Sequence, residues 1–260
     1  SGAITKWYGS VVDVDDKRRA EEALREADRR KDEFLAMLAH ELRNPLAPIC
    51  HALTVQSRSE DVEVWTEMRQ AMERQVQHLV RLVDDLLDVS RLTMGRITLR
   101  REPVDVRDIV ADALETCREA IEAKEHRVTS RVPSEALVVD GDRIRLVQIL
   151  TNILNNAAKF TEPGGEIDIV AARSGDVVEI RVRDSGVGIS AERLPRIFDL
   201  FSQGDQSPDR AHGGLGVGLT LARRLVDMHA GELTASSAGP DRGSEFRIAL
   251  RALTTTPIRQ

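Results

Sequence analysis

Aromatic side chains, cysteine and long apolar runs are all scarce in this chain. Five Phe, two Trp and one Tyr make up 3% of its 260 residues, so packing must rest on Leu, Val, Ile and Ala. The two cysteines, Cys50 and Cys117, have neither metal nor redox spacing. That excludes a disulfide framework and predicts reduced core or semi-buried thiols in a cytosolic protein. No stretch approaches the roughly 18–20 apolar residues that span a bilayer, and no signal peptide opens the chain, so no membrane contact is expected of this segment. Charge leans only slightly: 37 Lys and Arg against 43 Asp and Glu leave −6. This is no electrostatic footprint for nucleic acid or anionic lipid. What remains, 41% hydrophobic and 31% charged, is an ordinary globular balance, long enough for one large or two modest domains.

The texture changes along the chain. Residues 1–14, "SGAITKWYGSVVDV", read as a turn and one strand, too short for a domain, and the opening Ser-Gly has the look of a fusion scar. Residues 15–33 are charged and alanine-rich, with a thin seam of Ala20, Leu24, Ala27 and Lys31. Such a seam suits a coiled coil better than a globular core, a solvated single helix being the alternative. Residues 34–95 hold two helical patterns. Leu35, Leu38, Leu42 and Ile49 share one face of the first; Met68, Met72, Leu79, Leu82, Leu86 and Val89 mark the second over 62–93. The short polar link "SRSED" predicts an antiparallel hairpin, and stripes too wide for one partner predict a dimeric four-helix bundle. Pro45 removes one backbone hydrogen bond and should bend the first helix.

From residue 96 onward strands and helices mix. "ITLRREPVDV" starts a strand leading to a helix near 105–124, short strands follow near 127–132 and 136–140, then a helix at 141–160. "EIDIVAARSGDVVEIRVRD" is a hairpin signal, and a glycine-rich tract, a helix near 215–230 and two closing strands complete the pattern. This predicts an α+β two-layer sandwich over 96–253 rather than a parallel βαβ fold, with 254–260 a tail or linker.

Four clusters could carry chemistry. In "AHELRNP", His40 points roughly 160–200° away from Leu38 and Leu42. An imidazole held in solvent can act as a nucleophile, with Glu41 to take its proton and Asn44, one turn on, to hold a water or an incoming group. Taken alone, a surface histidine beside a glutamate is ordinary. In "QILTNILNNAAKFTEPGG", Asn152, Asn156 and Lys159 line one face while Leu146, Ile149, Ile153 and Leu154 hold the other in a core. Carboxamide oxygens suit a hard cation such as Mg²⁺ that leans on substrate phosphates; a merely polar face is the simpler alternative. "VRDSGVGIS" ends a strand at Asp184, with Gly186 and Gly188 allowing close backbone approach, or is just a turn. In "HGGLGVGLTLARRLV", Gly214, Gly216 and Gly218 run into a helix start that favours phosphate. It is neither a Walker loop nor a dinucleotide fingerprint. Before it, "PRIFDLFSQGDQSPDRAH" suits a lid over a ligand, or a surface loop.

The order "FLAMLAHELRNPLAPI", "LTNILNNAAKFT", "DSGVGIS", "IFDLFSQ", "GGLGVGL" closely resembles the sensor histidine kinases of two-component systems, over about residues 15 to 250. The resemblance implies a homodimer whose hairpin carries His40 as phosphoacceptor, Glu41 as general base and Asn44 as an aid to dephosphorylation of the partner. It implies an ATP-binding sandwich of the gyrase and heat-shock-chaperone type. There Asn156 would ligate Mg²⁺ with Asn152 close by, Lys159 would lie near the phosphates, and Asp184 would bind the adenine amine in a pocket shaped by Gly186 and Gly188. Gly214, Gly216 and Gly218 would hinge the lid, and Phe198 and Phe201 would anchor its other end. The implied partner is a response-regulator receiver domain, which takes the phosphoryl group on an aspartate. Residues 1–14 resemble the last strand of a PAS sensor domain, which would make the chain a cytoplasmic piece of a larger kinase. A gyrase-like ATP clamp shares the last clusters but gives His40 no purpose; a nucleotide-binding pseudokinase scaffold is the remaining alternative.

Overall fold

The computed structural model describes residues 15–56, 61–93, 97–199 and 216–253. The PAS-like strand, the centre of the interhelical link and the tail lie outside the described residues. The chain divides into two compact units, one reaching Gln77 and the other beginning at His78.

Two long helices come first. Helix α1 (Asp15–Gln56) runs unbroken through Pro45 and Pro48. Helix α2 (Val62–Thr93) starts at Asp61, whose side chain accepts from the Glu63 amide at 2.9 Å and satisfies one of the free N–H groups of the first turn. On α1 the buried line is Glu41, Pro45 and Ala52, with Leu38, Leu42 and Ile49 half-buried beside it. Leu35, assigned to the core stripe from spacing, is instead 50% exposed, and Leu46 and Leu53 join it at 47% and 54%. These three lie together, about 120–140° around the helix from Glu41. The single stripe is therefore two adjoining faces, of which this chain covers one. Helix α2 repeats the arrangement: Leu82 is buried and Met68, Met72, Leu79 and Leu86 half-buried, whereas Val62, Trp65, Val76, Val80, Val83 and Leu87 stay exposed. That exposed set forms a strip about 60° wide down the helix.

Beyond the end of α2, the described residues of the second unit form two sheets and three α-helices. The larger sheet has strand order β2-β4-β5-β7-β6, from β2 (Arg127–Arg131), β4 (Glu166–Ser174), β5 (Val177–Asp184), β6 (Glu232–Ser236) and β7 (Ser244–Arg251). β2 runs parallel to β4 and the other pairs are antiparallel, β4 and β5 forming the hairpin the sequence predicts. A small antiparallel pair joins β1 (Glu102–Asp105) to β3 (Val138–Gly141). The strand expected from Ile97 begins only at Glu102; before it the Arg100 amide donates to Asp142 rather than to a neighbouring strand. Helices α3 (Val106–Glu122), α4 (Arg143–Phe160) and α5 (Gly218–Met228) complete the unit, capped at the first two starts by Asp105 and Asp142.

Alternation decides the layers. Ile167, Ile169 and Ala171, Val178, Ile180 and Val182, and Phe246, Ile248 and Leu250 enter one buried core with the apolar stripes of α3, α4 and α5. Of the intervening positions Asp168, Glu179, Arg181 and Arg247 carry charge, with Glu179 between Arg181 and Arg247. Those two guanidiniums, Arg247 first, hold the Glu179 carboxyl down at about 2. One apolar and one charged face make the predicted two-layer sandwich. Cys117 lies in this core, where burial pushes its thiol up to about 11; Cys50 is exposed, so the expectation of two sheltered thiols holds for Cys117 alone.

Candidate active site

Helix α4 organises the site because its two faces differ. Leu146, Ile149, Leu150, Ile153 and Leu154 anchor it in the core, and Asn152 and Asn156, four apart, are half-buried along another face. The Asn152 amide donates from Nδ2 to the carbonyl of Gly218, the first residue of α5, at 3.1 Å. Its Oδ1 is thereby turned to the acceptor role, and no side-chain hydrogen bond caps the start of α5. At the other end of α4, Lys159 is exposed with its ammonium 5.0 Å over the ring of Phe160.

The flanks of the glycine-rich tract are tied to the same region. Thr220 Oγ1 donates to the Phe198 carbonyl at 2.9 Å. The Phe198 ring meets Phe246 edge-on at 6.5 Å, with the Arg223 guanidinium 4.9 Å from its centre. Gly216 adopts φ 65°, open to glycine at little cost. Phe201 and Gly214 lie outside the described residues.

At the end of β5, Asp184 is 5% exposed and acts as acceptor to its own surroundings. Oδ1 accepts from the Gly186 amide at 2.9 Å and the Ser244 amide at 3.3 Å, and Oδ2 from the Ser244 hydroxyl. A carboxylate offers about four lone-pair sites. Three are taken, and one is left for an N–H from outside. The loop is held from both sides: the Val187 amide donates to the Phe160 carbonyl at 3.1 Å, and the Asp241 amide to the Val187 carbonyl at 2.7 Å. Close approach explains the glycines. A Cβ at Gly186 would stand 2.4 Å from the Phe160 carbonyl oxygen, and one at Gly188 (φ +67) 2.1 Å from that of Gly239.

Sequence reasoning missed this second wall. Gly243 and Ser244, in the breaker-rich "AGPDRGSEF", buttress Asp184, and Ser237 Oγ donates to the Gly243 carbonyl at 2.7 Å. The only local signal was a turn composition before the last strand. Phe160 was missed as well, because its contribution is a backbone carbonyl.

Helix α4 therefore touches the phosphate-favouring start of α5 at Asn152 and the Asp184 loop at Phe160. Eight residues separate these contacts, about 12 Å of helix, the scale of a nucleotide laid from base to terminal phosphate. In the other unit His40 is exposed and Asn44, one turn on, is exposed too, while Glu41 is buried at 7%.

Two family models cover these regions. The His Kinase A (phospho-acceptor) domain matches residues 30–95, and the histidine kinase-, DNA gyrase B- and HSP90-like ATPase matches residues 141–254. The chain belongs to the sensor histidine kinases. The sensor protein GacS of Pseudomonas syringae pv. syringae is 36% identical over 87% of this chain. The signal transduction histidine-protein kinase BarA of Escherichia coli K12 is 34% identical over 88%. The chain spans about a quarter of the length of each, 25% in both cases. Among solved kinases, full-length ShkA in complex with AMPPNP is 29% identical with a TM-score of 0.63, covering 85% of this chain and 46% of that one. In this kinase core the helical hairpin precedes the ATP-binding sandwich, as the sequence predicts.

Proposed function

We propose that this chain transfers the γ-phosphoryl group of ATP to His40 and passes it on to an aspartate of a response-regulator receiver domain. One observation supports the reading: α1 buries Glu41, Pro45 and Ala52 yet leaves the His40 imidazole in solvent, as a nucleophile for a separately bound phosphate donor requires. An imidazole nitrogen attacks the γ-phosphorus, the bond to the β,γ-bridging oxygen breaks, and ADP leaves with that electron pair. The imidazole proton passes to Glu41. Catalysis here is positioning and charge neutralisation. Asn44 orients the water that reverses the modification on the receiver.

For the nucleotide, Asp184 accepts from the adenine amine at its one spare site, Gly186 and Gly188 let the base approach the backbone, and Lys159 answers the phosphate charge. Gly216 and Gly218 would hinge a lid whose other end Phe198 anchors; Gly214, Phe201 and the lid tract between them, expected to share those roles, lie outside the described residues. The donor set fits Mg²⁺: a hard ion that keeps waters and phosphate ligands needs only the Asn156 carboxamide oxygen, half-buried on α4 one turn from Asn152. Bound there, Mg²⁺ supplies charge neutralisation at the phosphates.

The exposed apolar strip of α2 and the outward Leu35, Leu46 and Leu53 of α1 support a homodimer forming a four-helix bundle. Leu24, 71% exposed, supports a coiled coil over 15–33. Residues 1–14 would close a PAS-like domain, 34–95 form the phosphotransfer hairpin and 96–253 the ATP-binding domain, in the cytoplasm. No helix among the described residues is long and apolar enough to cross a membrane.

Incubation with γ-labelled ATP and Mg²⁺ tests the central step. Wild type should acquire label that is lost in acid and kept in base, and His40→Gln should acquire none. Equal labelling of the two proteins would refute His40 as the acceptor.

A further inference from the structure

We infer that Lys124, with His126 beside it, is a positioning residue for the nucleotide base: from outside the pocket it holds the last turn of α4 so that the Phe160 carbonyl can hold the Asp184–Gly188 loop. The inference rests on reading that loop as the base site.

After α3 the chain turns through Glu125 (φ 53) into β2. From this turn the Lys124 ammonium reaches the end of α4 and donates to the carbonyls of Ala158 at 2.9 Å, Lys159 at 2.7 Å and Thr161 at 3.3 Å. His126 Nε2 donates to the Ala158 carbonyl at 3.0 Å. The backbone reinforces the clamp, with the Gly164 amide donating to the Lys124 carbonyl at 2.8 Å and the Arg127 amide to the Gly165 carbonyl at 2.9 Å. The last carbonyls of a helix lack intrahelical donors and form the negative end of its dipole. An ammonium, with three N–H groups and a full charge, answers both needs at once.

One carbonyl in this turn is passed over. Lys124 takes residues 158, 159 and 161, and that of Phe160 accepts the Val187 amide at 3.1 Å instead. The same oxygen would lie only 2.4 Å from a Cβ at Gly186, so the loop follows its position closely. Without the three donors the Lys159 and Thr161 carbonyls must find others while Ala158 keeps only His126, the turn shifts, and the Phe160 carbonyl shifts with it. Base binding suffers, whereas the Asn152–Gly218 contact two turns earlier on α4 is left in place. A half-buried lysine with an apolar stem could serve packing alone, and the two roles part in experiment.

Isothermal titration calorimetry with AMPPNP and Mg²⁺ separates them on the full chain. Its stoichiometry reports the folded fraction and its Kd the quality of the site. Lys124→Met should raise Kd tenfold or more at unchanged stoichiometry, and Lys124→Arg, which keeps charge and donors, should recover most of the affinity. Lys124→Gln, a milder change, should fall between them and carries the comparison if the methionine variant does not fold. A Kd within twofold of wild type, with or without a fall in stoichiometry, would overturn the inference. Wild type that binds no AMPPNP would overturn the base-site reading as well, whereas binding without autophosphorylation would leave the inference standing and sink only the reaction proposed for His40.

Discussion

Replacing Asp184 by Asn changes one atom and removes one charge. In the folded protein Oδ1 already serves the Gly186 and Ser244 amides and Oδ2 the Ser244 hydroxyl. The asparagine oxygen must stay with the two amides, since only an acceptor can meet them. Its NH₂ then falls where Oδ2 was. Ser244 can adapt, because a hydroxyl rotates and accepts as readily as it donates. An adenine amine cannot, so it faces a donor where it had an acceptor. The loss is one charge-assisted hydrogen bond, about 1.5–3 kcal/mol, plus about 1–3 kcal/mol for a ligand N–H buried without a partner. The sum is about 2.5–6 kcal/mol, so ATP affinity should fall by about 10²–10⁴ at 1.4 kcal/mol per tenfold. Since the protein's own bonds at this site are mostly kept, the melting temperature should change by only a few degrees. Calorimetric titration with AMPPNP and Mg²⁺, alongside thermal melts, gives both quantities. A well-folded Asp184→Asn protein that binds within threefold of wild type would refute the assignment of the spare acceptor to the base.

Two further outcomes follow from other parts of the molecule. His229, 3% exposed, donates from Nδ1 to the Leu225 carbonyl at 2.7 Å and accepts at Nε2 from the Asp142 amide at 3.0 Å. Burial lowers its pKa, Arg101 adds to the lowering, and the Leu225 bond, Asp142 and Asp140 oppose it. The unfolded chain therefore takes up the proton first. Stability is full above about pH 6.5 and falls as pH drops toward the lowered folded value, by at most about 1.4 kcal/mol per unit. Thermal melts from pH 7.5 to 5.5 should show this slope for wild type and a shallower one for His229→Gln; equal slopes would refute it. On α2, Val80→Glu places a carboxylate in the exposed apolar strip beside Val76, Val83 and Leu87. Size-exclusion chromatography with light scattering should find the wild type dimeric and the variant shifted to monomer, and an unshifted dimer would move the interface elsewhere.

The sequence determined by itself what depends on short-range periodicity and residue chemistry. Helix faces at 3.6-residue spacing and the strand alternation of β4 and β5 come from the chain alone. So does the outward position of His40, because its place opposite Leu38 and Leu42 is a local angle. The placement of Asn152, Asn156 and Asp184 was legible for the same reason: each stands at a fixed step on an element whose other face is apolar. Tertiary structure decided what depends on distant backbone. Leu35 looked like core until the rotation of α1 placed Glu41, Pro45 and Ala52 inward, a choice that no single-helix pattern contains. Ser244 supports Asp184 across 60 residues of chain, and Lys124 caps α4 across 34 to 37. Those partners meet only because strands pair and helix ends converge. A carbonyl oxygen such as that of Phe160 carries no residue identity at all, so only the fold could assign it a role.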